Sequence, residues 1–153
     1  MEKTISQPKI FPPTLLFLAM MLMSGLHFLF PFAQVLFVWG RLIGLLPLVV
    51  GISINMLADN QFKRANTTVR PFEESDWLVT TGLYRYSRNP MYLGMVLILF
   101  GVALLLGSLT PFGVLLLFFG YVDLQFIRRE EQMLATQFGQ DWLEYKARVR
   151  RWI

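Results

Sequence analysis

The chain runs to 153 residues, of which 55% are hydrophobic and 16% charged, against roughly 25% charged in a soluble domain. It has no cysteine and one histidine, which excludes disulfides, thiolate catalysis and zinc sites built on Cys or several His; no metal is expected. The formal charge of +4 suits an anionic membrane surface better than nucleic acid, and no nucleic-acid partner is expected.

A helix needs about 20 mostly apolar residues to cross a bilayer, with a minimum near 17. Four runs approach or meet that length, near 14–30, 40–58, 91–107 and 111–127. They predict an all-α fold: one membrane-embedded domain over 1–153, a polytopic bundle of about four transmembrane helices with a cytoplasmic helical extension at its C-terminal end. Lys3 and Lys9 precede the first run as in a signal peptide, but the run is long and no small-x-small site closes it, so it reads as a retained span. Pro31 ends or kinks it, and 32–40 is a short apolar turn or the lead-in to span two. Gly40 and Gly44 form a GxxxG pair, more often a packing feature than a dimer seam; a homodimer through the first two spans is left open. Pro47 lies inside span two, where neighbouring helices accommodate a kink.

The loop 59–90 is too long for a simple turn, and its aromatic residues Phe62, Phe72, Trp77, Tyr84 and Tyr86 argue against disorder. Residues 76–80 read as a short extended or interfacial piece. Asn89-Pro90 reads as a helix start, with Asn as N-cap and Pro at the first helical position. Residues 107–111 form a tight turn, so spans three and four make a hairpin. Span four runs without Gly or Pro into 128–138; Gly139 ends it, and 141–149 offers a second short helix with Trp142, Tyr145 and Val149 at helical spacing. Lys and Arg crowd the 59–90 loop and the 128–153 tail, which places both, and both termini, in the cytoplasm, with Arg41 alone on the other side. A bacterial inner membrane suits so compact a chain.

Two polar clusters flank the last two spans. At the start of span three, free helix amides and the positive end of the dipole favour an anion. Arg85 and Arg88 add charge there, Tyr92 lies in the first turn, and Gly94 leaves room for a ligand or a helix. A carboxylate or phosphate pocket and ordinary headgroup anchoring explain this equally well. After span four, Glu130 and Glu131 are turned roughly 100° apart, so one faces the bundle while the other meets Arg128 or solvent. Asp123 precedes Glu130 by two helical turns, on the same stripe. An ionisable residue within apolar sequence is a functional suspect, though a structural ion pair fits as well. His27 is better read as a packed, hydrogen-bonded histidine than as a base. The sequon Asn66-Thr67-Thr68 falls on the predicted cytoplasmic side and is discounted.

Several segments together resemble the membrane methyltransferases that include isoprenylcysteine carboxyl methyltransferases and phospholipid N-methyltransferases. They are Asn66-Thr67-Thr68-Val69-Arg70-Pro71, the stretch from Leu78 to Arg85, Arg88-Asn89-Pro90-Met91-Tyr92-Leu93-Gly94, Glu130-Glu131 with Leu134, Phe138-Gly139, and Trp142, Tyr145 and Arg151-Trp152. The resemblance implies S-adenosylmethionine as cofactor at the cytoplasmic mouth of the last helices. Carried over, Tyr84, Arg88, Asn89, Pro90, Tyr92 and Gly94 would meet it from one side and Glu130 or Glu131 from the other, with Arg85, Arg88, Glu131 and Asp123 as catalytic candidates. The prenylcysteine enzymes usually carry His where this chain has Asn89. The acceptor is expected to be a lipophilic small molecule or a membrane lipid. An amine or thiol acceptor would need a base among Glu130, Glu131 and Asp123; a carboxylate would want a cation such as Arg85 or Arg128. The alternatives are a sterol-type reductase using NADPH, which carries more helices before the shared part, and a non-catalytic lipid-binding scaffold.

Overall fold

A computed structural model describes residues 11–37, 39–64 and 78–153, with the backbone alone for 62–64. Its helices are α1 (Pro12–Leu29), α2 (Leu45–Arg64), α3 (Pro90–Leu106), α4 (Thr110–Val122) and α5 (Arg128–Arg148). A 3-10 turn, Gly40–Gly44, leads into α2, a second, Gly82–Arg85, precedes α3, and a π-helical turn, Asp123–Ile127, joins α4 to α5. No strand occurs among the described residues; one antiparallel bridge pairs Gln34 with Ser108. The fold is all-α.

Three stretches, within Pro12–Leu29, Gly40–Gln61 and Thr110–Arg148, are long and apolar enough to cross a membrane. α3 has 17 residues, about 26 Å at 1.5 Å per residue, close to the ~30 Å of a bilayer core. Phe28, Leu46, Leu116 and Leu117 are each more than two-thirds exposed. In water such faces would be costly; against lipid tails they are at rest. The chain is an integral membrane protein.

The core lies where α1, α3 and α4 meet, around Met23, Leu99, Ala103, Val122, Phe126 and Ile127. α2 joins through backbone rather than side chains. A Cβ on Gly44 would lie 2.5 Å from the Gly101 carbonyl oxygen, and one on Gly51 2.6 Å from that of Gly94. Both helices space these glycines two turns apart, so the antiparallel pair touches twice along one seam. Gly40 takes no part; its nearest neighbour is the tip of Leu36.

Two expectations change. α2 continues to Arg64, past the expected end of span two near 58, because 59–64 contains no Gly or Pro and only its environment turns polar. Pro47 sits in the first turn of α2, where its missing N–H removes the bond to Ile43, and the preceding turn tightens into the 3-10 form instead of a mid-helix kink. At Gly139 (φ 50°, ψ −113°) the backbone leaves helical geometry, so α5 is two helices joined at a kink, the second running to Arg148, in line with the expected break at this glycine.

The α3–α4 turn closes on Gly107, whose left-handed backbone (φ 76°) caps α3 by donating to Ala103. At this end His27 Nδ1 lies 2.7 Å from Ser108 Oγ, and Arg41 Nη2 donates to Gln34 Oε1 at 2.7 Å. His27 is therefore packed and hydrogen-bonded. The opposite end carries the charged cluster.

Candidate active site

The site is assembled on the segment leading into α3. Gly82 (φ 60°) turns the chain directly over Gln61 of α2, where any Cβ would collide with the Gln61 amide. Gln61 Oε1 accepts a hydrogen bond from the Leu83 amide at 3.2 Å. Tyr84 is buried, and its carbonyl accepts the Tyr145 hydroxyl at 2.7 Å, tying the turn to α5. Burial raises the Tyr84 phenol above its usual value, so it stays protonated at neutral pH.

Pro90 occupies the first turn of α3, as its fixed φ favours. Asn89 holds the N-cap position, but its side chain makes no cap. Its backbone amide donates to Ser87 Oγ at 3.1 Å and its Nδ2 to the Arg151 carbonyl at 3.0 Å. Leu93 and later amides bond back into the helix, leaving the first turn's donors without helical partners.

Arg88 lies beside this helix start. Its side chain is 8% exposed, and Nη2 sits 3.3 Å from Glu131 Oε1, itself on a side chain 9% exposed. Trp142 lies beneath the guanidinium, 5.5 Å from ring centroid to Cζ. The Nε and Nη1 of Arg88 are buried with no hydrogen-bond partner among the described residues. Unpaired buried donors cost about 1–3 kcal/mol or more each when charged, so such a group is a strong anchor for an anion.

Arg151 completes the cluster. Its Nε and Nη2 fork onto the two oxygens of Glu131 at 3.1 and 2.7 Å, and Nη1 reaches Asp123 Oδ1 at 3.3 Å. Asp123 also accepts from Arg128 Nε at 2.9 Å. Glu130 has a different environment. Its Oε1 accepts the Tyr92 hydroxyl at 2.7 Å, and among the described residues no cation reaches it. Lying just past the apolar span, Glu130 has its carboxyl pushed up to about 7, by burial first and against the opposing hydrogen bond from Tyr92.

The stripe expected to join Asp123 to Glu130 joins Asp123 to Glu131 instead, and Arg128 pairs with Asp123 rather than with either glutamate. The π turn supplies the reason. One extra residue between Asp123 and α5 rotates the rest of the helix by about one position, so residue i+8 stands where i+7 would in an unbroken α-helix. Asp123 is thus an ion-paired residue.

The family model for phospholipid methyltransferases matches residues 39–141, more than half of the chain. The chain belongs to the phospholipid methyltransferase family. Within it, the chain is 40% identical over 86 residues to the protein-S-isoprenylcysteine O-methyltransferase of Saccharomyces cerevisiae, covering 53% of this chain and 34% of the yeast protein. It is 42% identical over 64 residues to an uncharacterised protein of Haemophilus influenzae, 41% of this chain and 100% of that one. The solved structure of a eukaryotic intramembrane Ras methyltransferase, an isoprenylcysteine carboxyl methyltransferase, matches with a TM-score of 0.70 at 26% identity, over 92% of this chain and 51% of that one. The chain thus spans about a third of the yeast enzyme and about half of the solved one.

In this family member the fold brings Arg88, Asn89, Pro90, Tyr92, Asp123, Glu130 and Glu131 together, with Tyr84 alongside. Arg85 is exposed and joins none of the ion pairs. Gly94 faces α2: a Cβ there would strike the Asn55 amide and the Gly51 carbonyl, so the room it leaves is filled by a helix. Three residues had no role in the sequence reading. Gln61 gave no signal. Trp142 was visible as one of a helically spaced set and, like Arg151, as part of the matching segments, with no role attached to either. The segment Asn66–Pro71, the sequon within it, and Phe72, Asp76 and Trp77 lie outside the described residues.

Proposed function

We propose that this chain transfers a methyl group from S-adenosylmethionine to a lipophilic acceptor. The observation that carries the reading is a pair of groups with binding capacity to spare: the buried Nε and Nη1 of Arg88, without partners among the described residues, and a Glu130 carboxylate that no cation reaches among them. The methionyl end of the cofactor has one carboxylate and one ammonium. The first suits Arg88 and the start of α3, and the second suits Glu130. When bound, the cofactor supplies a sulfonium-activated methyl group open to direct displacement, so no covalent enzyme intermediate is required.

The residues then have separable tasks. Arg88 and Glu130 orient the donor. Trp142, Tyr145 and Phe126, all buried, keep water from the charged groups. Glu130, shared with the Tyr92 hydroxyl, receives a proton if the acceptor is an amine; a carboxylate acceptor has none to lose. Glu131 and Asp123, held by two arginines each, keep the geometry. The acceptor class is isoprenylcysteine-carboxylate-like or phospholipid-amine-like, entering from the bilayer at the cytoplasmic face of a bacterial inner membrane, with both termini cytoplasmic.

Calorimetric titration of the detergent-solubilised protein with S-adenosylmethionine tests this. Arg88→Ala removes charge-assisted hydrogen bonds of about 1.5–3 kcal/mol, roughly 10- to 100-fold in affinity. Folded wild type that binds no S-adenosylmethionine would sink the proposal, and NADPH would be titrated next. Labelled-methyl transfer to vesicles of an aminophospholipid, compared with a prenylcysteine substrate, then separates the two acceptors.

A further inference from the structure

The four residues Val149–Trp152 touch the 87–89 turn, α4, the π turn and α5. Val149 is buried against Trp142 and Tyr145. The Arg150 carbonyl accepts the Arg88 amide at 3.0 Å. The Arg151 carbonyl accepts Asn89 Nδ2 at 3.0 Å and Ser87 Oγ at 3.4 Å. Trp152 stacks on Phe119 of α4 at 4.7 Å and 27°. This short segment fastens the 87–89 turn to α4 and α5.

The Arg151 side chain adds an electrostatic task. Glu131 is buried, and a buried carboxylate draws every cation within reach. Arg151 occupies both of its oxygens with a planar fork, the geometry that suits guanidinium and carboxylate. Arg88 therefore spends one nitrogen on Glu131 and keeps Nε and Nη1 clear.

We infer that Arg151 is a positioning residue: by neutralising Glu131 it leaves Arg88 free to hold an anionic group, and Val149–Trp152 is the strap that delivers it. This rests on the cofactor reading above, since the anion is the carboxylate of S-adenosylmethionine. All three side-chain nitrogens of Arg151 are taken by Glu131 and Asp123, so it acts through Glu131 and Arg88. With Arg151 gone, Glu131 draws in the whole guanidinium of Arg88 and occupies its clear nitrogens.

The test is titration of the full-length protein with S-adenosylmethionine, on variants whose folding is checked by thermal unfolding. Arg151→Ala should weaken binding at least tenfold. Arg151→Lys, which keeps the charge and loses the fork, should fall between Arg151→Ala and wild type. Arg150→Ala, which removes an exposed side chain but leaves the backbone carbonyl, should bind as wild type does. The discriminating variant is Arg151→Ala with Glu131→Gln. Removing the charge that captures Arg88 should restore most of the lost affinity, which a purely structural role would not allow. Wild-type affinity in Arg151→Ala, or no recovery in the double variant, overturns the inference. If wild type binds no S-adenosylmethionine, the cofactor reading fails and hydrogen exchange decides the strap. The Arg88 amide should then lose protection in Arg151→Ala, and unchanged protection overturns the strap as well.

Discussion

At the scale of single residues the site is a question of which charges are already spent. Glu131, Asp123 and Arg151 satisfy one another; Arg88 gives Glu131 one nitrogen and keeps two without partners, and Glu130 meets only the Tyr92 hydroxyl among the described residues. Residue types alone show five charged groups and no pairing, so the sequence offered Glu130 and Glu131 as equals. Their environments separate them. Because burial holds the Glu130 carboxyl up to about 7, it is ionised only above that value. A bound ammonium requires the ionised form. S-adenosylmethionine affinity should therefore fall as pH drops below about 7 and level off above it, with the Tyr92 hydroxyl as the group facing the carboxylate. Titration calorimetry from pH 5.5 to 8.5 would show this. In Glu130→Gln the dependence should flatten and the affinity should resemble that of the wild type at low pH. An unchanged slope would remove Glu130 from the cofactor's surroundings.

At the scale of elements, two features decide how the helices meet. The first is the glycine seam. Gly51→Val or Gly101→Val forces a side chain into backbone at under 3 Å, an overpacking that costs about 1–3 kcal/mol. Thermal unfolding in detergent should report a clear drop. Gly25→Ala and Gly113→Ala, with nothing within 4 Å of the added carbon, should be neutral or stabilising by about 0.5–1 kcal/mol. The second feature is the π turn. Deleting Gln125 removes the extra residue, so Glu131 falls seven positions after Asp123 in an ordinary α-helix and keeps its place on the same stripe. Helix content by circular dichroism and S-adenosylmethionine binding should both survive. Loss of binding at unchanged helix content would show that the π turn does more than set the register of Glu131. The Gly spacing was legible in sequence only in part. Gly40–Gly44 drew attention as a pair, yet the seam uses Gly44 and Gly51, because a contact with a second helix depends on what that helix presents.

Over the whole molecule, the charged site and the hydrogen-bonded turn stand at opposite ends of α3, one at Pro90 and the other at Gly107. They should therefore fail independently. His27→Leu breaks the bond to Ser108, worth about 0.6 kcal/mol and at most about 1.7 in a membrane bundle. It should lower the unfolding temperature without changing S-adenosylmethionine affinity; a change in affinity would reveal coupling along α3. The sequence by itself determined the all-α membrane architecture, the helix start at Asn89-Pro90, the hairpin turn and the extension of the fourth span. Each stems from local chemistry: apolar length, proline's fixed φ, glycine's freedom, or the lack of a breaker. Tertiary structure alone decided that Glu131 is paired and Glu130 is not, that Asn89 binds the Arg151 carbonyl instead of capping its helix, and that α2 lies against α3 at backbone distance. Those outcomes turn on the helix register set by one π turn and on contacts between residues more than 60 positions apart, which no local pattern encodes.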